Sequence, residues 1–172
     1  MPIYTSFETE RLILRPTSYE DAAFIFELLN TPQWLQFIGD RNVRSVEDAK
    51  GYIKNKLMSQ LGRLGYGNYT VIRKADGAKL GTCGLHDREG LDGIDIGFAF
   101  LPQFAGQGYA FEAASKIKSA ASDCFGIKQI YAITAKENTA SQRLLEKLGL
   151  VYTKLVRLPS DDEDLMLYQQ SL

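Results

Sequence analysis

Three features of this sequence predict an α/β (α+β) domain built on one mixed, mostly antiparallel twisted sheet. Between Tyr69 and Leu101 apolar residues alternate with a period of two and are broken by turn residues, the pattern of a strand meander. From Gly108 to Leu148 the period becomes helical twice, with a β-rich run between the two stretches. Two further β-rich runs close the chain, so a meander is followed by strand, helix, strand, helix and strand. That order describes a sheet of about six to seven strands with about four helices on its faces. The chain has 172 residues, of which 45% are hydrophobic. This suits a single domain spanning residues 1–172 with a full core.

Arg11-Leu12-Ile13-Leu14-Arg15-Pro16 alternates basic and apolar residues and stops at proline, as a first, partly exposed strand would. Ser18 with Asp21 resembles a capping box, and Ala22, Ile25, Phe26 and Leu29 carry a helix to about Asn30. Thr31 to Arg44, with Trp34, Phe37 and Ile38, has no clean period. Ser45 and Asp48 start a second helix through Ala49, Ile53 and Leu57, which ends among Gly62, Gly65 and Gly67. Strands Tyr69–Arg73 and Lys79–His86 meet across Asp76-Gly77, a hairpin signal, and a turn near Gly90 to Gly93 leads into Ile94–Leu101. Ala110, Ala113, Ala114, Ile117, Ala121 and Cys124 form the stripe of a helix closed by Gly126, small enough to sit close to a sheet. Ile127–Thr134 is a strand, Thr139–Leu148 a helix closed by Gly149, and Val151–Leu158 and Leu165–Gln169 are the last strands.

The net charge is -1, and the pI of about 5.9 offers no cationic field for nucleic acid or an anionic membrane. Cys83, Cys124 and the lone His86 lack metal-ligand spacing, so no metal is expected and the cysteines read as buried free thiols of a reducing compartment. Glu8, Glu10 and Arg11 stand where a signal peptide needs an apolar stretch, and no apolar run reaches membrane-spanning length. A cytoplasmic protein is expected.

The most informative segment runs Phe100-Leu101-Pro102-Gln103-Phe104-Ala105-Gly106-Gln107-Gly108-Tyr109-Ala110, a strand ending in a glycine turn that opens a helix. Such a turn points successive N–H groups inward beside a helix N-terminus, which suits a diphosphate. An ordinary strand-to-helix turn is the alternative. A P-loop needs Lys-Ser or Lys-Thr after its last glycine, and Tyr109-Ala110 supply neither. The dinucleotide fingerprint wants glycine where Phe111 stands and an acid at the end of the next strand, which here reads Thr134-Ala135-Lys136.

Gln103-Phe104-Ala105-Gly106-Gln107-Gly108 resembles the coenzyme A loop of the GCN5-related N-acetyltransferases, Gln/Arg-x-x-Gly-x-Gly/Ala. The likeness extends through Thr9–Pro16, Ile96-Gly97-Phe98, Gly106–Ala113, Glu137-Asn138-Thr139-Ala140-Ser141 and Glu146-Lys147-Leu148-Gly149. It is strongest with the branch holding the RimJ and RimL enzymes of ribosomal proteins. The resemblance implies an acetyl-CoA-dependent transferase acting on a primary amine, as a monomer or homodimer. It implies that the linked phosphates lie on the turn, Gln103 to Ala110, with Ala105, Gly106, Gln107, Gly108 and Tyr109 among the contacts. It implies too that the pantetheine arm passes between splayed parallel strands around Phe98, Ala99, Phe100 and Leu101 and around Ile130 to Thr134.

Acetyl transfer needs a polarised carbonyl, a neutral amine and a proton for the departing thiolate. The resemblance places a backbone donor near Phe98 or Ala99, oxyanion-type. It places Asp95 where a related branch keeps a catalytic glutamate, although a strand carboxylate is also an ordinary solvated residue. Asn138 suits a helix N-cap, and in the family this asparagine also touches the coenzyme arm. The family's thiolate-protonating tyrosine is replaced by Leu145, and in the RimL-like branch the serine of Asn-x-x-Ser, here Ser141, takes its place. A non-catalytic acyl-CoA-binding module is the alternative. His86 reads as structural with acceptor-side contact as the alternative, Trp34, Phe37 and Ile38 as core or acceptor wall, and Asp161-Asp162-Glu163-Asp164 as a solvated turn with a cation-attracting rim as the alternative.

Overall fold

The computed structural model describes residues 4–172. Strands β1 (Phe7–Glu8), β2 (Leu12–Pro16), β3 (Asn68–Arg73), β4 (Lys79–Asp87), β5 (Ile94–Phe100), β6 (Gln129–Thr134), β7 (Val151–Val156) and β8 (Leu165–Ser171) make one sheet. Among the described residues it has eight strands in the order β1-β2-β3-β4-β5-β6-β8-β7, and only the β5/β6 pair is parallel. The expected mixed, mostly antiparallel sheet is therefore present, with more strands than expected. The addition at the edge is β1, two residues that are too short to show a period. Helices α1 (Ala22–Leu29), α2 (Pro32–Phe37), α3 (Val46–Tyr52) and α4 (Ser59–Leu64) lie between β2 and β3, while α5 (Tyr109–Asp123) and α6 (Thr139–Leu148) follow β5 and β6.

The hairpin at Asp76-Gly77 forms as its turn residues dictate. Gly77 takes φ 75° and donates its N–H to the Arg73 carbonyl at 2.8 Å, and the Asp76 carboxylate accepts from the Ala78 N–H at 3.1 Å. Capping is equally local. The Ser18 N–H donates to Asp21 Oδ2 at 3.0 Å, although Tyr19–Asp21 first makes a 3₁₀ turn. Ser45 Oγ accepts from the Asp48 N–H at 3.0 Å, while the Asp48 carboxylate reaches past Ser45 to the Arg44 N–H at 2.9 Å. Ser45→Ala is expected to cost about 1 kcal/mol, a fall of roughly 2–4 °C in Tm by thermal unfolding. Beyond Tyr52 the helix does not end. A π-helical stretch, Ile53–Met58, carries it into α4, which stops at Gly65 in the left-handed region.

Two apolar clusters hold these elements. The larger sets Leu12, Leu14, Val71, Leu80, Leu85 and Ile130 of the sheet against Ala113, Ala114, Ile117 and Ala121 of α5 and Leu145 and Leu148 of α6. The second joins Ile25, Leu28 and Leu29 of α1 to Ala49 and Ile53, and meets the end of β5 at Leu101. Cys83 lies in the first cluster, where burial pushes its thiol up. Cys124 does not. It caps α5 after Asp123 and is exposed, because the helix stops before the stripe reaches it. Among the described residues no helix is long and apolar enough to cross a membrane.

Candidate active site

The strands β5 and β6 are in register only at Ile94–Ile130 and Asp95–Tyr131. From Ile96 onward β5 has β4 on one side and, among the described residues, no strand on the other. A cavity of about 170 Å³ fills this parting, walled by Gly97, Phe98 and Ala99 of β5 and by Ala132, Ile133 and Thr134 of β6. The Leu101 N–H donates to the Leu80 carbonyl of β4 at 2.9 Å. Strand alternation then turns the N–H of Phe98 toward the parted edge and that of Ala99 toward β4. Of the two expected donors, Phe98 is the one aimed into the gap.

Below the parting, β5 runs through a 3₁₀ turn, Pro102–Phe104, into the glycine loop. Gly106 and Gly108 take φ 73° and 82°, left-handed values that glycine adopts without strain. Among the described residues the N–H groups of Gly106, Gln107, Gly108, Tyr109 and Ala110 make no hydrogen bond within the protein. They stand at the start of a 15-residue helix, where the helix dipole adds positive potential. Arg11, from the turn between β1 and β2, fastens the loop from outside. It donates to the Gln107 carbonyl at 3.0 Å and to Glu112 Oε1 at 2.8 Å, and its guanidinium lies 4.3 Å from the Tyr109 ring centre. The Tyr109 side chain is buried, with its hydroxyl accepting from Arg73 at 3.3 Å, so only its backbone faces out. Leu101 packs into the second core, and Gln103 and Ala105 are exposed on the turn.

Beyond the end of β6, Asn138 caps α6, its Oδ1 accepting from the Ser141 N–H at 3.2 Å. Both residues line the cavity beside Leu145. The Asn138 NH₂ and the Ser141 hydroxyl have no partner among the described residues. The Asn138 oxygen thus serves the helix while its nitrogen stays spare.

Asp95 also lines the cavity, and it is not a solvated outward residue: its side chain is 1% exposed. Arg88 Nε reaches both carboxylate oxygens at 2.9 Å. Burial pushes the carboxyl up, and the Arg88 charge and hydrogen bonds oppose that without cancelling it. His86 sits opposite Asp95 in the β4/β5 register and faces the cavity too. A Cβ on Gly97 would come within 3.2 Å of the His86 ring and 3.6 Å of Arg88 Nη2, which locates both side chains over Gly97. Burial, aided by Arg88, pushes His86 down to about 3, so it is neutral at pH 7. Trp34, Phe37, Ile38 and Arg41, from α2 and the residues after it, complete the wall opposite α6. Arg88 and Arg41 carry no motif. The turn between His86 and Asp95 is the one signal that could have paired Arg88 with Asp95.

A mixed sheet with one parted parallel pair, and a free-amide turn beneath the parting, defines a class of protein that holds a diphosphate-bearing coenzyme across the end of a sheet. The chain matches the Acetyltransferase (GNAT) domain family over residues 11–151 and belongs to that family. It is similar to the uncharacterised N-acetyltransferase YoaA of Bacillus subtilis (strain 168), 29% identical over 148 residues that cover 86% of this chain and 83% of that one. YkkB, an uncharacterised protein of the same organism, is 30% identical over 89% of each chain. The fold is shared with an acetyltransferase from Agrobacterium tumefaciens (TM-score 0.82, 21% identity, 99% and 96% of the two chains). It is also shared with RimL, a ribosomal L7/L12 alpha-N-protein acetyltransferase solved with coenzyme A (TM-score 0.82, 17% identity, 98% of each chain). The protein is an acetyl-CoA-dependent acetyltransferase.

Proposed function

We propose that the chain acetylates a primary amine, preferentially an α-amine such as a peptide N-terminus, by direct attack while both substrates are bound. The observation that carries this reading is that Phe98 and the spare polar groups of Asn138 and Ser141 line one parting, whose edge strand β5 runs on into a loop of free amides. Acetyl-CoA brings an activated acetyl thioester. The amides from Gly106 to Ala110 hold its linked phosphates, and the arm lies between β5 and β6 with Asn138 Nδ2 donating to it. The Phe98 N–H faces the position where carbonyl charge grows, and Ser141 Oγ delivers a proton to the sulfur that departs.

Asp95 takes the amine's proton, directly or through water. Burial raises its carboxyl, while the charge and hydrogen bonds of Arg88 pull the other way and favour the carboxylate form that accepts a proton. Freeing an α-amine of pKa about 8 at pH 7 costs roughly 1.4 kcal/mol, against roughly 4.6 for a lysine of pKa about 10.4. A restrained base of this kind suffices for the first. The structural likeness to RimL, an alpha-N-protein acetyltransferase, supports the same acceptor.

Ser141→Ala tests the scheme. Followed by free-thiol release from acetyl-CoA with a panel of N-terminal peptides and small amines, turnover is expected to fall about tenfold to a hundredfold with coenzyme affinity unchanged. Equal turnover in the variant would remove Ser141 from the mechanism. A wild-type protein that binds the coenzyme tightly and releases no thiol with any amine would overturn the whole reading.

A further inference from the structure

Arg88 binds Asp95 through Nε alone. Nη1 and Nη2 make no hydrogen bond among the described residues, yet the side chain is only 32% exposed and lines the cavity. Nη2 lies over Gly97, one residue from the N–H that faces the reacting carbonyl. A guanidinium with one edge fixed by a buried carboxylate presents its other edge as a rigid pair of donors. Two more donors on the same walls lack an acceptor. Arg41 has no carboxylate partner among the described residues, and the Trp34 indole N–H is buried without a hydrogen bond. The acids on these walls are Asp95, engaged by Arg88, and Asp161, which has no cationic partner among the described residues.

From this arrangement we infer that the acceptor carries a carboxylate close to the amine that is acetylated, and that the Nη edge of Arg88 receives it. The inference rests on the acetyl-transfer reading and narrows its acceptor. Arg88 thereby ties the two ends of one molecule: its Nε side orients Asp95 toward the amine, and its Nη side anchors the neighbouring carboxylate. Arg41 adds positive charge at the mouth, and Asp161 supplies the opposite pole that draws in the ammonium. A simple alkylamine or polyamine has nothing to give these donors and leaves them desolvated. The carboxylate belongs either to a free α-amino acid or to an acidic side chain at a peptide's N-terminus.

The test uses full-length protein saturated with coenzyme A, and calorimetry as readout, so turnover is not required. L-alanine is compared with L-alaninamide, and an amidated peptide beginning with aspartate with its asparagine counterpart. The acid of at least one pair is expected to bind about tenfold tighter or better, and the pair that shows it identifies the source of the carboxylate. Arg88→Lys should abolish that preference with coenzyme affinity held within about twofold, and Arg41→Gln should weaken it in part. Acids that bind no tighter than their amides in either pair overturn the inference, as does a preference that survives in Arg88→Lys. Thiol release measured with the same acceptors reports separately on acetyl transfer, so the two ideas fail in different assays.

Discussion

Gly108→Val is expected to raise the Kd for coenzyme A by about a hundredfold or more, with Tm moving by only a few degrees. Gly108 holds φ 82° at the N-cap of α5, and a Cβ there would already lie 3.3 Å from Arg11 Nη2. A β-branched residue in that region carries about 1–3 kcal/mol of strain, relieved most simply by turning the Gln107–Tyr109 peptides out of line. Each charge-assisted hydrogen bond from those amides is worth about 1.5–3 kcal/mol, so misaligning two of them accounts for the affinity lost. Gly77→Val is the control. Gly77 has φ 75° with nothing within 4 Å of its Cβ, in a hairpin that lines no part of the cavity. It should cost similar stability and leave coenzyme binding intact. Calorimetric titration with coenzyme A and thermal unfolding of both variants separate the two effects. Undiminished binding by Gly108→Val would remove the loop amides from the coenzyme site.

What was readable in the sequence follows from how local each determinant is. The glycine turn, the hairpin at Asp76-Gly77 and the caps at Ser45 and Asn138 depend on residues within a few positions of one another, and all formed where the residue types placed them. Helix α2 was missed because it buries none of its residues and so has no stripe; Thr31 followed by Pro32, an N-cap and a first-turn proline, was its only mark. The parting of β5 from β6 is implied by family resemblance alone, since pairing between residues 36 positions apart, such as Ile94 and Ile130, is not encoded at either strand. Family resemblance singles out Asp95 on β5, but its burial and its pairing with Arg88 depend on how the β4–β5 turn folds back, which a period of two does not reveal. For the same reason the sequence leaves His86 between a structural and an acceptor-side place. Its exposure to the cavity depends on the bare Gly97 across the hairpin.

Asp21→Asn is the substitution expected to cost the most stability. The sequence marks Asp21 as one half of a capping box, and the fold asks far more of it. Its carboxylate is fully buried and joined to Arg15 Nη2 at 2.8 Å, Lys79 Nζ at 2.7 Å, the Thr70 hydroxyl at 3.0 Å and the Ser18 N–H at 3.0 Å. These contacts tie the start of α1 to β2, β3 and β4. Burial pushes the carboxyl up, but the hydrogen bonds from Arg15, Lys79 and Ser18 outweigh it and hold the group at about 2, below the usual 3.8. Asparagine keeps the shape, presents an NH₂ to two cations and leaves their charge uncompensated, at a cost of about 3 kcal/mol or a Tm roughly 10 °C lower. The pH dependence has a definite sign. A depressed carboxyl contributes stability that is complete above its unfolded value near 3.8 and is lost as pH falls toward about 2, an amount of about 2 kcal/mol. Chemical denaturation between pH 5 and pH 2 should therefore show a decline about 2 kcal/mol larger in the wild type than in Asp21→Asn, which keeps the depressed carboxyls of Asp40, Asp76 and Glu112. Parallel declines in both proteins would mean that Asp21 carries its proton equally in the folded and unfolded chain, and that the cluster at the base of α1 does not hold it ionised.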